Sequence, residues 1–77
     1  MADAAPLRVA VGGCTGRMGR AIAQRIATAR DLTLVGGTGR TAGEASFAAG
    51  APVAIVRPAD AASLLAGSDV VVDVSSP

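Results

Sequence analysis

The chain has 77 residues and almost no aromatic side chains: Phe47 is the only one, histidine is absent, and Cys14 is the single cysteine. One cysteine excludes an internal disulfide and fits a reducing compartment, and without histidine no zinc site is expected. The core must therefore consist of Val, Ile, Leu and Ala, which suits helices packed on a sheet. We expect a cytoplasmic α/β protein.

Charge and long apolar runs are also scarce. Seven basic and six acidic residues give a net charge of +1, and the arginines are scattered. This distribution is not that of a nucleic-acid-binding surface. No apolar run approaches the roughly 20 residues of a membrane span, and residues 1–6 lack the basic start and apolar core of a signal peptide. We therefore expect neither nucleic acid nor a membrane as a partner.

Glycine, in contrast, is abundant near the N-terminus. An apolar run from Leu7 to Val11 predicts a buried strand, and the spacing G-x-x-G-x-x-G follows at Gly13, Gly16 and Gly19. A helical pattern then extends from about residue 18 to residue 30. A strand, a glycine-rich turn and a helix in this order can hold a nucleotide diphosphate. The alternative is a glycine-rich turn that binds nothing.

Each of these glycines has an expected role. Gly13 adopts backbone angles that a side chain would resist. Gly16 removes the Cβ that would keep the backbone from a pyrophosphate, and Gly19 allows the helix to pack closely on the strand. The N–H groups of the first helical turn then face the phosphates, where the helix dipole favours negative charge.

The remaining chain predicts three further strands and a second helix. We expect strands at 32–37, 53–56 and 69–74, and a helix at 59–66 that follows Pro58 and ends at Gly67. Residues 38–52 form either a short helical turn around Phe47 or a loop with Phe47 tucked inward. The apolar stripe of the first helix is expected to comprise Met18, Ile22, Ile26 and Ala29.

This order of elements predicts an α/β fold, the first half of a Rossmann-like doubly wound parallel sheet with strand order 3-2-1-4. A ligand is expected over the carboxyl ends of the first and fourth strands. A second glycine run, from Val35 to Arg40, has no long amphipathic helix after it and is interpreted as the end of the second strand. That position contacts the adenosine ribose in dinucleotide-binding folds.

An acid at this position binds the 2′-OH of NAD, whereas an arginine accommodates the 2′-phosphate of NADP. The chain has Gly39 and Arg40 there, with no acid between Val35 and Gly43. We expect NADPH to be preferred, or NADH to be used equally well; the alternative is that Arg40 is a solvated loop residue.

Three further residues attract attention. Cys14 lies near a helix N-terminus, which can lower a thiol pKa, but a small turn residue is the simpler interpretation. Asp73 ends the fourth strand and is expected to make a structural hydrogen bond. Ser75 either contacts the nicotinamide end or begins a turn before Pro77.

Two blocks of sequence resemble the N-terminal domain of 4-hydroxy-tetrahydrodipicolinate reductase, formerly called dihydrodipicolinate reductase. Residues 13–20 are similar to the family's G-x-x-G-R-M-G-R, and residues 69–77 to its D-V-V-I-D-F-T-x-P. The resemblance, which covers residues 8–77, implies a bacterial enzyme of lysine and diaminopimelate biosynthesis. Such an enzyme reduces a cyclic dicarboxylate with NADH or NADPH and forms a homotetramer.

The resemblance also implies which residues bind the coenzyme. The pyrophosphate would be held by Gly13, Cys14, Thr15, Gly16, Arg17 and Met18, the adenosine ribose by Gly39 and Arg40, and the nicotinamide ribose by Ser75. Gly39 stands where many members carry an acid, Val74 where Phe is usual, and Ser75 where Thr is usual.

The chain stops before two later segments of the family, a G-T-T-type nicotinamide loop and an H-H-x-x-K segment with the general acid and the dicarboxylate-binding groups. We therefore interpret residues 1–77 as a dinucleotide-binding domain without catalytic residues, lacking the substrate and tetramerisation domain and inactive alone. Two alternatives remain: a non-catalytic NAD(P)-binding module, and the nucleotide domain of another Rossmann oxidoreductase. The block Arg17–Arg20 argues against the second.

Overall fold

The computed structural model describes residues 6–48 and 52–74. Its elements are β1 (Leu7–Gly12), α1 (Arg17–Thr28), β2 (Leu32–Thr38), β3 (Gly43–Ala45), β4 (Val53–Val56), a 3₁₀ turn (Pro58–Asp60), α2 (Ala62–Ala66) and β5 (Val70–Asp73). The strands form one five-stranded sheet in the order β3-β4-β2-β1-β5. β1 is parallel to β2 and β5, β2 is parallel to β4, and β3 is antiparallel to β4.

The predicted strand order 3-2-1-4 corresponds to β4-β2-β1-β5 and is confirmed. The edge strand β3 was not predicted, because its three residues lack the apolar alternation that marks a strand and are ordered by pairing with β4. Phe47 follows β3 without a helix and is only 4% exposed. Of the two interpretations of this segment, the loop with Phe47 tucked inward is the one observed.

The predicted helix at 59–66 is interrupted. The chain first forms a 3₁₀ turn, in which the Asp60 and Ala61 N–H groups bond to the Arg57 and Pro58 carbonyls, and α2 starts only afterwards. Gly67 ends α2 as predicted, with its N–H shared between two carbonyls of the last turn. None of the helices in residues 6–48 and 52–74 is long and apolar enough to cross a membrane.

The first helix packs through part of the predicted stripe, since Ile26 is buried and Ile22 lies against the core. Gly19, Ala23 and Ile26 are buried, whereas Met18 is 65% exposed. The assignment of Met18 to the apolar stripe is therefore wrong. Met18 lies in the first turn of α1 and borders the open cleft described below rather than the core.

A bulge in β2 shifts the register in which β1 and β2 pair. Val9 is opposite Leu34, but Ala10 is opposite Gly36, so Val35 has no partner on β1. Gly36 has a φ of +152°, which L side chains rarely adopt, and a Cβ there would lie 2.6 Å from the Ala54 carbonyl oxygen. A glycine is therefore required where β2 passes between β1 and β4.

The start of β5 is attached to β1 by an exposed ion pair. The Arg8 guanidinium donates to both carboxylate oxygens of Asp69, at 3.1 and 3.3 Å, and the Arg8 N–H donates at 2.9 Å. The Asp69 N–H returns a bond to the Arg8 carbonyl at 2.7 Å. These hydrogen bonds lower the pKa of the Asp69 carboxyl. Since both side chains are in solvent, the pair sets the register of β5 more than it stabilises the fold.

The free edge of β5 leads to a prediction about the isolated chain. Among the described strands β5 pairs with β1 alone, and Val70 and Val71 are 41% and 45% exposed. An apolar β-branched edge promotes strand pairing between molecules. We expect concentration-dependent association in sedimentation velocity, and Val71→Lys should shift the chain toward monomer.

Leu65→Lys is the matched control, because Leu65 is 46% exposed but lies on α2 rather than on a strand edge. It should leave association unchanged. A wild-type chain that sediments as a monomer, or equal rescue by both lysine variants, would contradict an edge-mediated contact.

Candidate functional site

A cleft of about 650 Å³ opens where the parallel strands end. It is lined by residues at the end of β2 or just after β1, β2, β4 and β5, together with the first turn of α1: Gly13, Thr15, Gly16, Arg17, Met18, Gly19, Thr38, Gly39, Arg40, Thr41, Pro58 and Val74. The carboxyl end of the sheet is where open α/β folds bind ligands. The cleft lies in the position predicted from the order of elements.

Most of the predicted coenzyme-binding residues meet in this cleft, namely Gly13, Thr15, Gly16, Arg17, Met18, Gly39 and Arg40. Ser75 lies outside the described residues. Sequence analysis did not assign Thr38, Thr41 or Pro58 to the site. Thr38 and Thr41 flank the predicted pair Gly39–Arg40 and could have been found by extending that segment. Pro58 could not, because it lies at the cleft as a result of the pairing between β4 and β2.

Residues 13–16, called the glycine loop below, make a tight turn. Gly13 has a φ of +75°, as its expected role requires. The Gly16 N–H closes the turn by donating to the Gly13 carbonyl at 3.1 Å. A Cβ at Gly16 would meet only that carbonyl oxygen, at 3.5 Å, an ordinary contact distance. The protein's own packing therefore does not require glycine at position 16, and the free space belongs to the cleft.

Gly19 allows close packing, as predicted, but the helix packs there on the glycine loop rather than on the predicted partner, the strand. A Cβ at Gly19 would collide with the Gly13 carbonyl oxygen and lie 2.9 Å from the Cys14 Cα. The first turn of α1 therefore rests directly on the glycine loop.

The N-terminus of α1 offers unpaired donors. Its N-cap, Gly16, provides no side-chain hydrogen bond, and its first turn contains no acidic residue. The first backbone bond of the helix joins the Arg20 N–H to the Gly16 carbonyl at 2.8 Å. The N–H groups of residues 17–19 have no acceptor in the described part of the chain. Such an end attracts an anion.

The charges at the cleft are of one sign. Arg17 and Arg40 are exposed and line it, and no acidic side chain is among the lining residues of the described structure. Within residues 6–48 and 52–74 no group of His, Cys, Asp or Glu side chains is arranged to hold a metal ion. The electrostatics thus favour an anionic ligand bound through N–H groups and guanidinium groups.

The end of β2 is joined to the glycine loop by hydrogen bonds. The Gly13 N–H donates to Thr38 Oγ1 at 3.0 Å, and the Cys14 N–H donates to the Thr38 carbonyl at 3.0 Å. β2 extends through Thr38, and no helix follows Arg40 in residues 41–48. The interpretation of the second glycine run as a strand end rather than a second phosphate loop is confirmed.

Cys14 belongs to the core rather than to the cleft. Its side chain is 1% exposed, and a Cβ on Gly37 would lie 2.5 Å from its Sγ. Burial raises the pKa of the thiol, opposed by a backbone hydrogen bond and, to a smaller extent, by the Arg20 charge. The helix terminus therefore does not activate this thiol, and the simpler interpretation as a small turn residue is confirmed. Because its side chain is buried and its N–H is bonded to Thr38, Cys14 supports the loop without lining the cleft.

Comparison with known proteins identifies the family. The family model described as "Dihydrodipicolinate reductase, N-terminus" matches residues 7–77. The chain belongs to the dihydrodipicolinate reductase family. The resemblance found in the two sequence blocks is thereby confirmed.

Curated members of the dihydrodipicolinate reductase family are similar along almost the whole chain. The 4-hydroxy-tetrahydrodipicolinate reductase of Nitrosomonas europaea is 43% identical over 77 residues, which cover 94% of this chain and 29% of the relative. That of Thermomicrobium roseum is 44% identical over 72 residues, covering 92% and 28%. The chain thus spans under a third of the length of these relatives. No solved structure matches it significantly.

The buried thiol leads to a prediction about pH. The chain contains no lysine, tyrosine or histidine, so Cys14 is the only side chain expected to titrate in the mildly alkaline range. A folded-state pKa raised above the unfolded value stabilises the fold below the ordinary thiol pKa, about 8.5, and this stabilisation is lost as the pH rises.

We expect the free energy of unfolding in urea, followed by circular dichroism, to fall above about pH 8.5, by at most about 1.4 kcal/mol per pH unit. Cys14→Ala should remove this slope, whatever its effect on stability at neutral pH. The N-terminal amine is common to both proteins and cancels in the comparison. Equal slopes in wild type and variant would show that the thiol has an ordinary pKa.

Proposed function

We propose that the chain is the NAD(P)H-binding part of a 4-hydroxy-tetrahydrodipicolinate reductase. The observation that carries the proposal is the uncapped N-terminus of α1, whose free N–H groups line a cleft beside Arg17 in a member of this family. A dinucleotide diphosphate matches such a site, because its negative charge meets both the helix dipole and the guanidinium.

The glycine loop can accept the diphosphate because it has no side chain at Gly16. Since Gly16 has no packing contact to satisfy, a phosphate can approach the backbone where a Cβ would otherwise stand. The N–H groups of residues 17–19 then donate to phosphate oxygens. Arg17 adds a charge-assisted contact from the rim.

The adenosine ribose is expected at the end of β2. A Cβ at Gly39 would lie 3.0 Å from the Thr15 side chain and 3.1 Å from Ile55, so this position packs tightly under the glycine loop. It supplies no carboxylate for a 2′-OH and none to repel a 2′-phosphate. Arg40, exposed at the cleft, can pair with that phosphate. These features support NADPH as a preferred or equally used coenzyme.

The relatives' name supports a role in reducing a cyclic dicarboxylate, on the pathway to lysine and diaminopimelate. The bound coenzyme would supply the hydride, and the residues described here would orient it and carry no catalytic group. On this proposal the substrate-binding groups and the contacts of a homotetramer belong to other parts of a longer cytoplasmic enzyme, and the isolated chain binds coenzyme without turnover.

The glycine loop supports a direct test of the proposed site. Gly16→Val should abolish NADPH binding while the fold is retained, because its new side chain points into ligand space rather than into protein. NADPH fluorescence reports binding without interference, since the chain has no tryptophan or tyrosine. Gly43→Val is the matched control, because a Cβ at Gly43 meets nothing within 4 Å and lies on the edge strand β3. Unchanged NADPH affinity in Gly16→Val would contradict the assignment of the diphosphate to the glycine loop.

Coenzyme preference tests the role of Arg40. Arg40→Ala should weaken NADPH binding by roughly ten- to a hundredfold, as expected for loss of one charge-assisted hydrogen bond, and leave NADH unchanged. Arg30→Ala is the control, because Arg30 is an equally exposed arginine beyond the opposite end of α1. Dissociation constants for both coenzymes decide the outcome. Equal losses for NADPH and NADH would make Arg40 a solvated loop residue.

A further inference from the structure

Thr38 stands out because, besides pairing with Val56 of β4, it is hydrogen-bonded to the glycine loop. Its hydroxyl accepts the Gly13 N–H at 3.0 Å, and its carbonyl accepts the Cys14 N–H at 3.0 Å. The Cys14 thiol also approaches this carbonyl, at 3.5 Å. Two consecutive amides of the loop are thus held by one residue of β2.

These contacts fall at the most constrained point of the loop. Gly13 has a positive φ of 75°, so the orientation of its peptide is not fixed by ordinary backbone preference. The Gly13 carbonyl, in turn, accepts the Gly16 N–H and forms the surface on which Gly19 rests. The Gly13 N–H and the Gly13 carbonyl belong to the two peptide groups on either side of the Gly13 Cα, and Thr38 holds the first through its hydroxyl and the second through the bond from the Cys14 N–H. Rotation of either group about this Cα would displace the turn that precedes α1.

The Thr38 hydroxyl has capacity beyond this contact. A hydroxyl provides one donor and two acceptor positions, and the Gly13 N–H occupies one acceptor position. Its own hydrogen has no acceptor among the described residues, and Thr38 is half-buried in the lining of the cleft. That hydrogen is thus left for a ligand oxygen.

We propose that Thr38 is a positioning residue, whose hydroxyl sets the affinity of the cleft for a diphosphate by holding the Gly13 amide. The inference rests on the proposed function and adds a residue that the family motifs quoted above do not include. The competing view is that Thr38 only stabilises the carboxyl end of the sheet. A structural role would alter melting without selectively altering diphosphate binding.

The experiment uses Thr38→Val, which keeps the branched shape and removes the hydroxyl, and Thr38→Ser, which keeps the hydroxyl. Thr33→Val is the control, because Thr33 is an exposed threonine at the other end of β2. The probes are NADPH, followed by its fluorescence, and ADP, followed by calorimetry. We expect Thr38→Val to weaken both about tenfold, the effect of one hydrogen bond, and the other two variants to bind within about threefold of wild type.

Amide hydrogen exchange provides a readout that needs no ligand. Measured by NMR in the Val71→Lys background, exchange of the Gly13 amide should accelerate about tenfold in Thr38→Val, in line with one lost hydrogen bond. The Cys14 amide should stay protected, because its acceptor is the Thr38 main-chain carbonyl, which the substitution retains. Comparing the exchange rates of the Gly13 and Cys14 amides thus distinguishes the loss of one hydrogen bond from a general loosening of the glycine loop.

Each outcome decides between the views. Unchanged affinity for NADPH and ADP in Thr38→Val overturns the inference, as does a Thr38→Ser variant that binds as weakly as Thr38→Val. Equal acceleration of both amides would indicate general loosening and likewise overturn it. A wild-type chain that binds neither NADPH nor ADP overturns the proposed function itself. This outcome can be told apart from failure of the Thr38 inference, because the variants then show no binding either. If Thr38→Val does not fold, Thr38→Ala removes the hydroxyl with less apolar bulk.

Discussion

The contact between Gly19 and the glycine loop is the constraint on which the rest of the site depends. With no side chain at Gly19, the first turn of α1 settles directly on the Gly13 carbonyl. This close approach brings the helix terminus to the end of β1 and aligns its free N–H groups with the cleft. It also leaves Cys14 beneath the helix, in the core rather than in solvent. A larger residue at position 19 would separate the helix from the loop and disperse these donors.

The core explains how so small a chain supports such close packing. Val9, Val11 and Ala23 are almost completely buried, and Phe47 is the one aromatic side chain in the core. Small and β-branched residues allow a helix to lie near a sheet and fill the interface without long side chains. The cost is little buried surface per residue, so the fold relies on sheet pairing to a large extent. Because the fold relies on sheet pairing, we expect association at the edge of β5 that no strand of residues 6–48 and 52–74 covers.

The sequence predicted the parts of the fold that local chemistry determines. The β-branched runs become β1, β4 and β5, and Gly13 has the positive φ that its position in the turn demands. Elements that depend on contacts distant in sequence were missed. The strand β3, for example, exists because β4 lies beside it. The 3₁₀ turn that shortens α2 has local hydrogen bonds instead, and it was missed because Pro58 fits the first turn of an α-helix equally well.

The same distinction applies to the candidate site. Glycine spacing located the loop, but periodicity alone could not show that Met18 is exposed at the cleft. The role of Thr38 could not be predicted either, since a threonine between two glycines has no distinctive pattern. Its role becomes visible only from the hydrogen bond that joins β2 to the glycine loop. Side chains that act through the backbone of another segment leave little trace in composition or spacing.

The bulge at Val35 has a consequence for how the sequence can change length. It places one extra residue in β2 between the pairings of Val9 and Ala10, so the residues after it occupy a shifted register. Deleting that residue would move Thr38 and Arg40 one step along the strand, and a one-step shift exchanges the two faces of a strand. Insertions and deletions between Leu34 and Arg40 should therefore be selected against.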